Sequence, residues 1–218
     1  MATLLTSAAR CAADPEVLHT IRAPDCSIAI WQRAAFTDLT PLTQGSPENL
    51  RFVSNLRRLP GTLERELRQN GFGGDAALHR MLVDDATRLA ALFCAAMELA
   101  TFELRLELVR TDSCRKFHAD YVTARLITTY VGEGTDWLDD TDAARVAAGE
   151  EPQHINRLAA FDVGLFKGKL ATGNPAIHRS PPIADTPGGT RLLLVLNPAS
   201  RPFVEGAECP LPPPAHLA

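Results

Sequence analysis

A chain of 218 residues with 45% apolar and 22% charged side chains is long enough to bury a sizeable core, and its composition excludes a disordered or fibrous protein. The formal net charge of −4, with basic residues scattered rather than clustered, excludes the electrostatic footprint of a nucleic-acid binder, so no nucleic-acid partner is expected. Charges interrupt every apolar run well short of about 18 residues, which excludes a helical membrane span. The opening MATLLTSAARCAADPEV lacks the basic start and long apolar stretch of a signal peptide, and a cytoplasmic location is expected.

In the first 46 residues only Ser27–Trp31, SIAIW, reads as a short strand. Ser46-Pro47-Glu48 then looks like an N-cap with proline at the first helical position, and Leu50, Val53, Leu56 and Leu59 at helical spacing predict a helix that Pro60-Gly61 ends. A second helix is predicted from Gly61-Thr62 to Asn70-Gly71. A third, from about Asp75 to Ala100, carries the apolar stripe Leu78, Met81, Leu82, Leu89, Leu92, Phe93 and Met97, which reads as core.

The pattern changes at Thr101. Phe102 to Leu108 alternates strictly, with apolar side chains on one face and Glu103, Arg105 and Glu107 on the other, which predicts a half-buried strand. Thr111-Asp112-Ser113 reads as a turn, Cys114–Tyr121 as an extended segment, and Val122–Val131 as a strand closed by Gly132-Glu133-Gly134. The charged stretch 136–154 reads as an insert with a short helix, and its acids Asp136, Asp139, Asp140 and Asp142 as a solvated helix start rather than a second metal site. Further strands are expected around Leu158–Val163, at Ala176–Arg179 and at Leu192–Leu196, after which the proline-rich chain leaves the sheet.

Within the extended segment, His118 and Asp120 stand two residues apart, so alternation would point both side chains to one side. An imidazole and a carboxylate sharing a small volume are two ligands of the 2-His-1-carboxylate arrangement that leaves positions open on a metal ion. The best third ligand is His178. His19, His79, His154 and His216 read as ordinary surface or core histidines. The five cysteines, Cys11, Cys26, Cys94, Cys114 and Cys209, are odd in number and contain no C-x-x-C pair, unlike a disulfide framework or zinc ribbon. Cys114 reads as a buried small hydrophobe, with the alternative that it joins the site as a soft ligand and draws it towards zinc.

The order His118, Asp120, a strand bearing Arg125 and Tyr130, a Gly-Glu-Gly-Thr loop, then His178 before Pro181 and Pro187-Gly188-Gly189-Thr190-Arg191 resembles the Fe(II)/2-oxoglutarate-dependent dioxygenase superfamily, in its prolyl-hydroxylase-like pattern. Phe161–Lys167 is similar to that family's strand before the distal histidine. The whole chain also resembles an uncharacterised bacterial family of unknown function. The resemblance implies an α+β fold in which an N-terminal helical layer, residues 1–100, packs on a double-stranded β-helix, a cupin-like jelly roll, at 101–197, followed by an irregular proline-rich tail at 198–218. It implies Fe(II) held by His118, Asp120 and His178, and 2-oxoglutarate bound with Arg191, Tyr130 and Arg125. On the residues themselves, Arg191 pairs with a dicarboxylic co-substrate, with a protein carboxylate, or with solvent. The implied activity is hydroxylation of a small molecule or a protein side chain; the alternative is a non-catalytic zinc-binding or metal-homeostasis protein using the same pocket.

Overall fold

Alternation of apolar side chains with period two builds one large sheet and one small one. The computed structural model describes residues 8–184 and 189–199. The strands are β1 (Ala9–Ala12), β2 (Ile28–Trp31), β3 (Leu50–Ser54), β4 (Phe102–Val109), β5 (Ala124–Val131), β6 (Asp136–Trp137), β7 (Asn156–Arg157), β8 (Val163–Lys167), β9 (His178–Arg179) and β10 (Arg191–Pro198). Seven form a sheet in the order β1-β2-β8-β5-β10-β4-β3, and three form a second sheet in the order β7-β6-β9. The β1–β2 pair is parallel and the other ladders are antiparallel.

Each face of the large sheet has its own core. Phe102, Leu104 and Leu106 of β4, Ala124 and Leu126 of β5, and Leu192, Leu194 and Leu196 of β10 pack against the helices α1 (Leu59–Gln69) and α2 (Ala76–Met97). On the opposite face Ile127, Phe166, Leu193 and Val195 meet Trp137 and Ala176, so a second apolar cluster fills the space between the two sheets. Burial on both faces explains why β10 is an unbroken apolar run. In α2, the Asp75 carboxylate caps the first turn by accepting from Leu78 N at 2.8 Å. Glu98 ends the helix with left-handed backbone, φ 55°. The short helix expected in the insert is α3 (Asp140–Ala147), capped by Asp139.

Several sequence expectations are corrected. Residues 50–54 are strand, not helix, because Leu50, Phe52 and Ser54 share one face and pair antiparallel with β4. Pro60 does not end a helix; it sits in the first turn of α1, where its missing N–H has no intrahelical partner to lose. The N-terminal hundred residues are therefore not only a helical layer, since β1, β2 and β3 complete the large sheet on both edges. The strand expected at 158–163 is displaced into β7 and β8 by a turn, with Phe161 at φ 71° and Asp162 accepting from Ala159 N. Segment 114–121 is not a regular strand: its backbone turns at Cys114, φ 58°, and touches the small sheet through the single bridge His118–His178. Strand β10 continues through Pro198; the rest of the tail expected from 198, with Cys209 and His216, lies outside the described residues, as do Pro187 and Gly188. Among the described residues, no helix is long and apolar enough to cross a membrane.

Candidate metal centre

After β4 the chain is tied to residues 183–184, whose amides both donate to Asp112 Oδ1 at 2.8 Å. It then meets β9, where His118 N donates to His178 O at 2.9 Å and His178 N donates to His118 O at 3.0 Å. Antiparallel residues that exchange both bonds lie directly opposite one another and project to the same side. The imidazoles follow, with ring centroids 4.9 Å apart. Asp120 is fixed two residues later: its carbonyl accepts from Lys169 N at 2.9 Å. Gly168 approaches so closely that a Cβ there would lie 2.1 Å from Val122 O and 3.0 Å from Asp120 O.

His118, Asp120 and His178 each offer one ligand atom within 4.8 Å of the others. The orientation of both rings suits a cation. His118 Nδ1 contacts Lys116 O at 2.8 Å and His178 Nδ1 contacts Ala176 O at 3.3 Å; a carbonyl only accepts, so both Nδ1 atoms are the donors and each Nε2 is the ring atom left to face a cation. Asp120 is 8% exposed. Its Oδ1 accepts from Arg125 Nη1 at 2.6 Å. Its Oδ2 lies 3.2 Å from His178 Nε2, yet the geometry is not that of a hydrogen bond, and the atom is a buried acceptor without a hydrogen-bond donor among the described residues. A buried carboxylate grouped with two imidazoles, one of its oxygens lacking a donor, is the donor set of a divalent cation. Burial pushes the Asp120 carboxyl up, and the Arg125 guanidinium on Oδ1 opposes it, which favours the anionic form a metal needs.

A second cation lies in the core. Arg191 is 1% exposed at the start of β10. Its Nε donates to Glu133 O at 2.6 Å, Nη1 to Ser180 Oγ at 2.7 Å, and Nη2 to Thr129 and Thr135 Oγ1 at 3.3 and 3.4 Å. No carboxylate among the described residues is ion-paired with it. Buried Asp136 is engaged by Arg157 at 2.6 Å and Arg179 at 3.0 Å, and Glu133 by Arg157 at 2.6 Å. Burial draws the Arg191 pKa down to about 10, only partly offset by Asp136 and Glu133 at longer range.

Residues 12–197 match the family model described as Protein of unknown function (DUF1826). The chain belongs to that family. No curated protein matches it. Among solved structures it is similar to a bsmA homologue from Methylobium petroleophilum PM1, at 16% identity and a TM-score of 0.43 over 83% of this chain and 90% of that one. It is similar also to a Pseudomonas putida prolyl-4-hydroxylase, at 15% identity and a TM-score of 0.42 over 86% and 94%. A shorter match, at 16% identity and a TM-score of 0.29, joins 44% of this chain to FeII HppE and spans only 42% of that protein.

The DUF1826 chain thus brings together three of the expected residues, His118, Asp120 and His178. Two others are reassigned. Two nitrogens of the Arg125 guanidinium are engaged within the protein, Nη1 by Asp120 and Nε at 2.8 Å by Asn197 Oδ1. Tyr130 does not face the metal cluster: alternation along β5 puts it on the face of Ala124 and Leu126, and its ring joins the helix-side core. There its hydroxyl donates to Asp85 Oδ2 at 2.7 Å, beside the buried ion pair of Asp85 with Arg33. Cys114 is exposed on left-handed backbone and its thiol stands outside the cluster, so the zinc alternative that used it has no support. The acids of the insert are not a solvated helix start throughout, since Asp136 is fully buried in β6 and Asp142 is buried in α3; among the described residues they form no metal cluster. Asn197, Ser180 and Thr135 were not foreseen; only the alternation of β5, which puts Thr129 with Ile127 on the inner face, hinted at hydroxyls around Arg191.

Proposed function

We propose that the protein is a non-haem Fe(II)- and 2-oxoglutarate-dependent oxygenase, a hydroxylase, whose β part is a double-stranded β-helix. The chain path supports this fold. From β4 onward successive segments alternate between the sheets: β4 in the large one, His118 against β9, β5 in the large, β6 and β7 in the small, then β8, β9 and β10 in turn. A jelly roll winds in this way.

The observation that carries the activity is the coexistence of an all-nitrogen-and-oxygen cluster with a buried guanidinium, Arg191, that is ion-paired with no carboxylate among the described residues. Leaving a charge so deep without a counter-ion is costly, and a dicarboxylic acid supplies one in bidentate geometry. In this reading His118 and His178 through Nε2, and Asp120 through a carboxylate oxygen, hold Fe(II). Arg191, with the hydroxyls of Ser180, Thr129 and Thr135, binds the distal carboxylate of 2-oxoglutarate. Ile127, Leu193, Val195 and Phe166, whose ring lies 4.8 Å from that of His178, keep water from the space between the sheets. When bound, the ferrous ion and keto acid supply the activation of dioxygen for attack on a C–H bond. The substrate is a small molecule or a protein side chain, and the site is carried by residues 101–197 with the N-terminal part in support.

Calorimetric titration of 2-oxoglutarate into Mn(II)-loaded protein tests this. Binding that requires the ion and is lost in Arg191→Ala is expected. Equal binding with and without Mn(II) would contradict it.

A further inference from the structure

We infer that Arg125 is the positioning residue that makes Asp120 a one-oxygen metal ligand, an inference that rests on the metal-centre reading above. The two oxygens of Asp120 differ in surroundings. Arg125 Nη1 donates to Oδ1 at 2.6 Å, while Oδ2 is the buried oxygen that has no donor among the described residues. The guanidinium cannot easily yield Oδ1, because it is itself held from the far side. Its Nε donates to Asn197 Oδ1 at 2.8 Å, Asn197 Nδ2 donates to Glu103 Oε1 at 3.1 Å, and Glu103 Oε2 accepts from Arg51 Nε at 2.9 Å. These residues stand on the adjacent strands β5, β10, β4 and β3, so the chain of bonds is built on the sheet rather than on loops.

Two physical effects act together. A planar guanidinium with fixed donors occupies the lone-pair region of Oδ1, and its positive charge repels a cation that approaches that oxygen. A cation is thereby directed to Oδ2, which lies 3.2 Å from His178 Nε2, while Oδ1, the oxygen 3.9 Å from His118 Nε2, stays with the guanidinium. The consequence concerns open positions. A six-coordinate ion held by two imidazoles and one carboxylate oxygen would keep three positions open, and closing the second carboxylate oxygen on it would remove one of them.

Mn(II) is the probe, and bound exchangeable waters are counted by oxygen-17 double-resonance spectroscopy without co-substrate. The parent should hold three waters and Arg125→Met two, as the freed Oδ1 closes on the ion, while Arg125→Lys, which keeps a donor and the charge, should restore three. Three waters in Arg125→Met would overturn the inference. The infrared spectrum of carbon-13-aspartate-labelled, Mn(II)-loaded parent gives a test that needs no variant. A carboxylate stretch separation wider than that of free carboxylate is expected, and one in the chelating range would overturn the inference. Either of those contrary results leaves the metal centre standing, whereas a parent that binds no Mn(II) would overturn the centre itself and this inference with it.

Discussion

His118 and His178, sixty residues apart in sequence, exchange both of their backbone hydrogen bonds, at 2.9 and 3.0 Å. That one bridge sets the separation and direction of the two imidazoles, and Asp120 joins them from the next turn of chain. Replacement of any of the three by alanine removes one of only three ligands. His118→Ala, Asp120→Ala and His178→Ala should each weaken Mn(II) or Fe(II) binding by more than about 100-fold, beyond the about 10–100-fold loss usual for an outer-shell change. Anaerobic metal titration with circular dichroism as the fold control measures this, and parent-like affinity in all three would refute the assignment.

Gly168 is expected to act on the same site through the backbone. Its Cβ-to-be lies 2.1 Å from Val122 O, which is backbone and cannot swing aside. Gly168→Ala should displace the 120–123 segment and weaken metal binding by about 10-fold, the lower end of the outer-shell range. Gly173→Ala, where a Cβ meets nothing within 4 Å, is the control and should bind metal as the parent does.

The Arg33–Asp85–Tyr130 group should affect stability without touching the centre. Asp85 is ion-paired with Arg33 and accepts from the Tyr130 hydroxyl, all in the helix-side core. Asp85→Ala leaves a buried cation alone and should cost about 3–5 kcal/mol, and Tyr130→Phe about 1.5–3 kcal/mol for one bond to a charged acceptor. Denaturant unfolding measures both losses. Metal affinity in Tyr130→Phe should stay at the parent value, and a large drop there would return Tyr130 to the site.

Acid should loosen the 136–154 insert at Asp142. Its Oδ1 accepts from Gln153 N at 2.6 Å and its Oδ2 from His154 N at 3.0 Å. The Gln153 amide bond above all holds the carboxyl below its ordinary range; burial opposes this, and the His154 amide adds to the lowering. Because the folded pKa is depressed, the stabilisation is fully present above the unfolded value of about 3.9 and is lost as pH falls through the lower folded value. The amide resonances of Gln153 and His154 should therefore titrate with a midpoint below about 3.9. Asp142→Asn should abolish that titration, and a midpoint above the ordinary value would contradict the account.

What the sequence disclosed follows from how local each signal is. The strict alternation of Phe102–Leu108, the stripe of α2 and the apolar run of β10 are each decided within one element, and they are where the pattern places them except for Met81, which the stripe puts in the core and the structure exposes. The segment from Leu50 was misread because Leu50, Val53, Leu56 and Leu59 mimic a helical period, while partnership with β4, a non-local fact, selected the alternating set Leu50, Phe52 and Ser54. Histidine and aspartate in close spacing drew attention to His118 and Asp120, but the backbone bridge that delivers His178 leaves no mark in either segment. Order in a motif puts Tyr130 in the site, whereas the alternation of β5, with Ala124 and Leu126 on the helix side and Ile127 on the other, puts it in the helix-side core. The link from Arg125 to Asp120 and Asn197 crosses a turn and two strands, so no spacing in the sequence announces it.

The central claim is that a metal held by His118, Asp120 and His178 and the cation Arg191 together bind one keto acid. Anaerobic protein given Fe(II) and 2-oxoglutarate tests it most directly, because a keto acid chelated to ferrous ion absorbs weakly in the visible region. The band should appear in the parent, disappear in Arg191→Ala, and be absent without 2-oxoglutarate. Fe(II) demonstrably bound with no band on adding 2-oxoglutarate would contradict the claim.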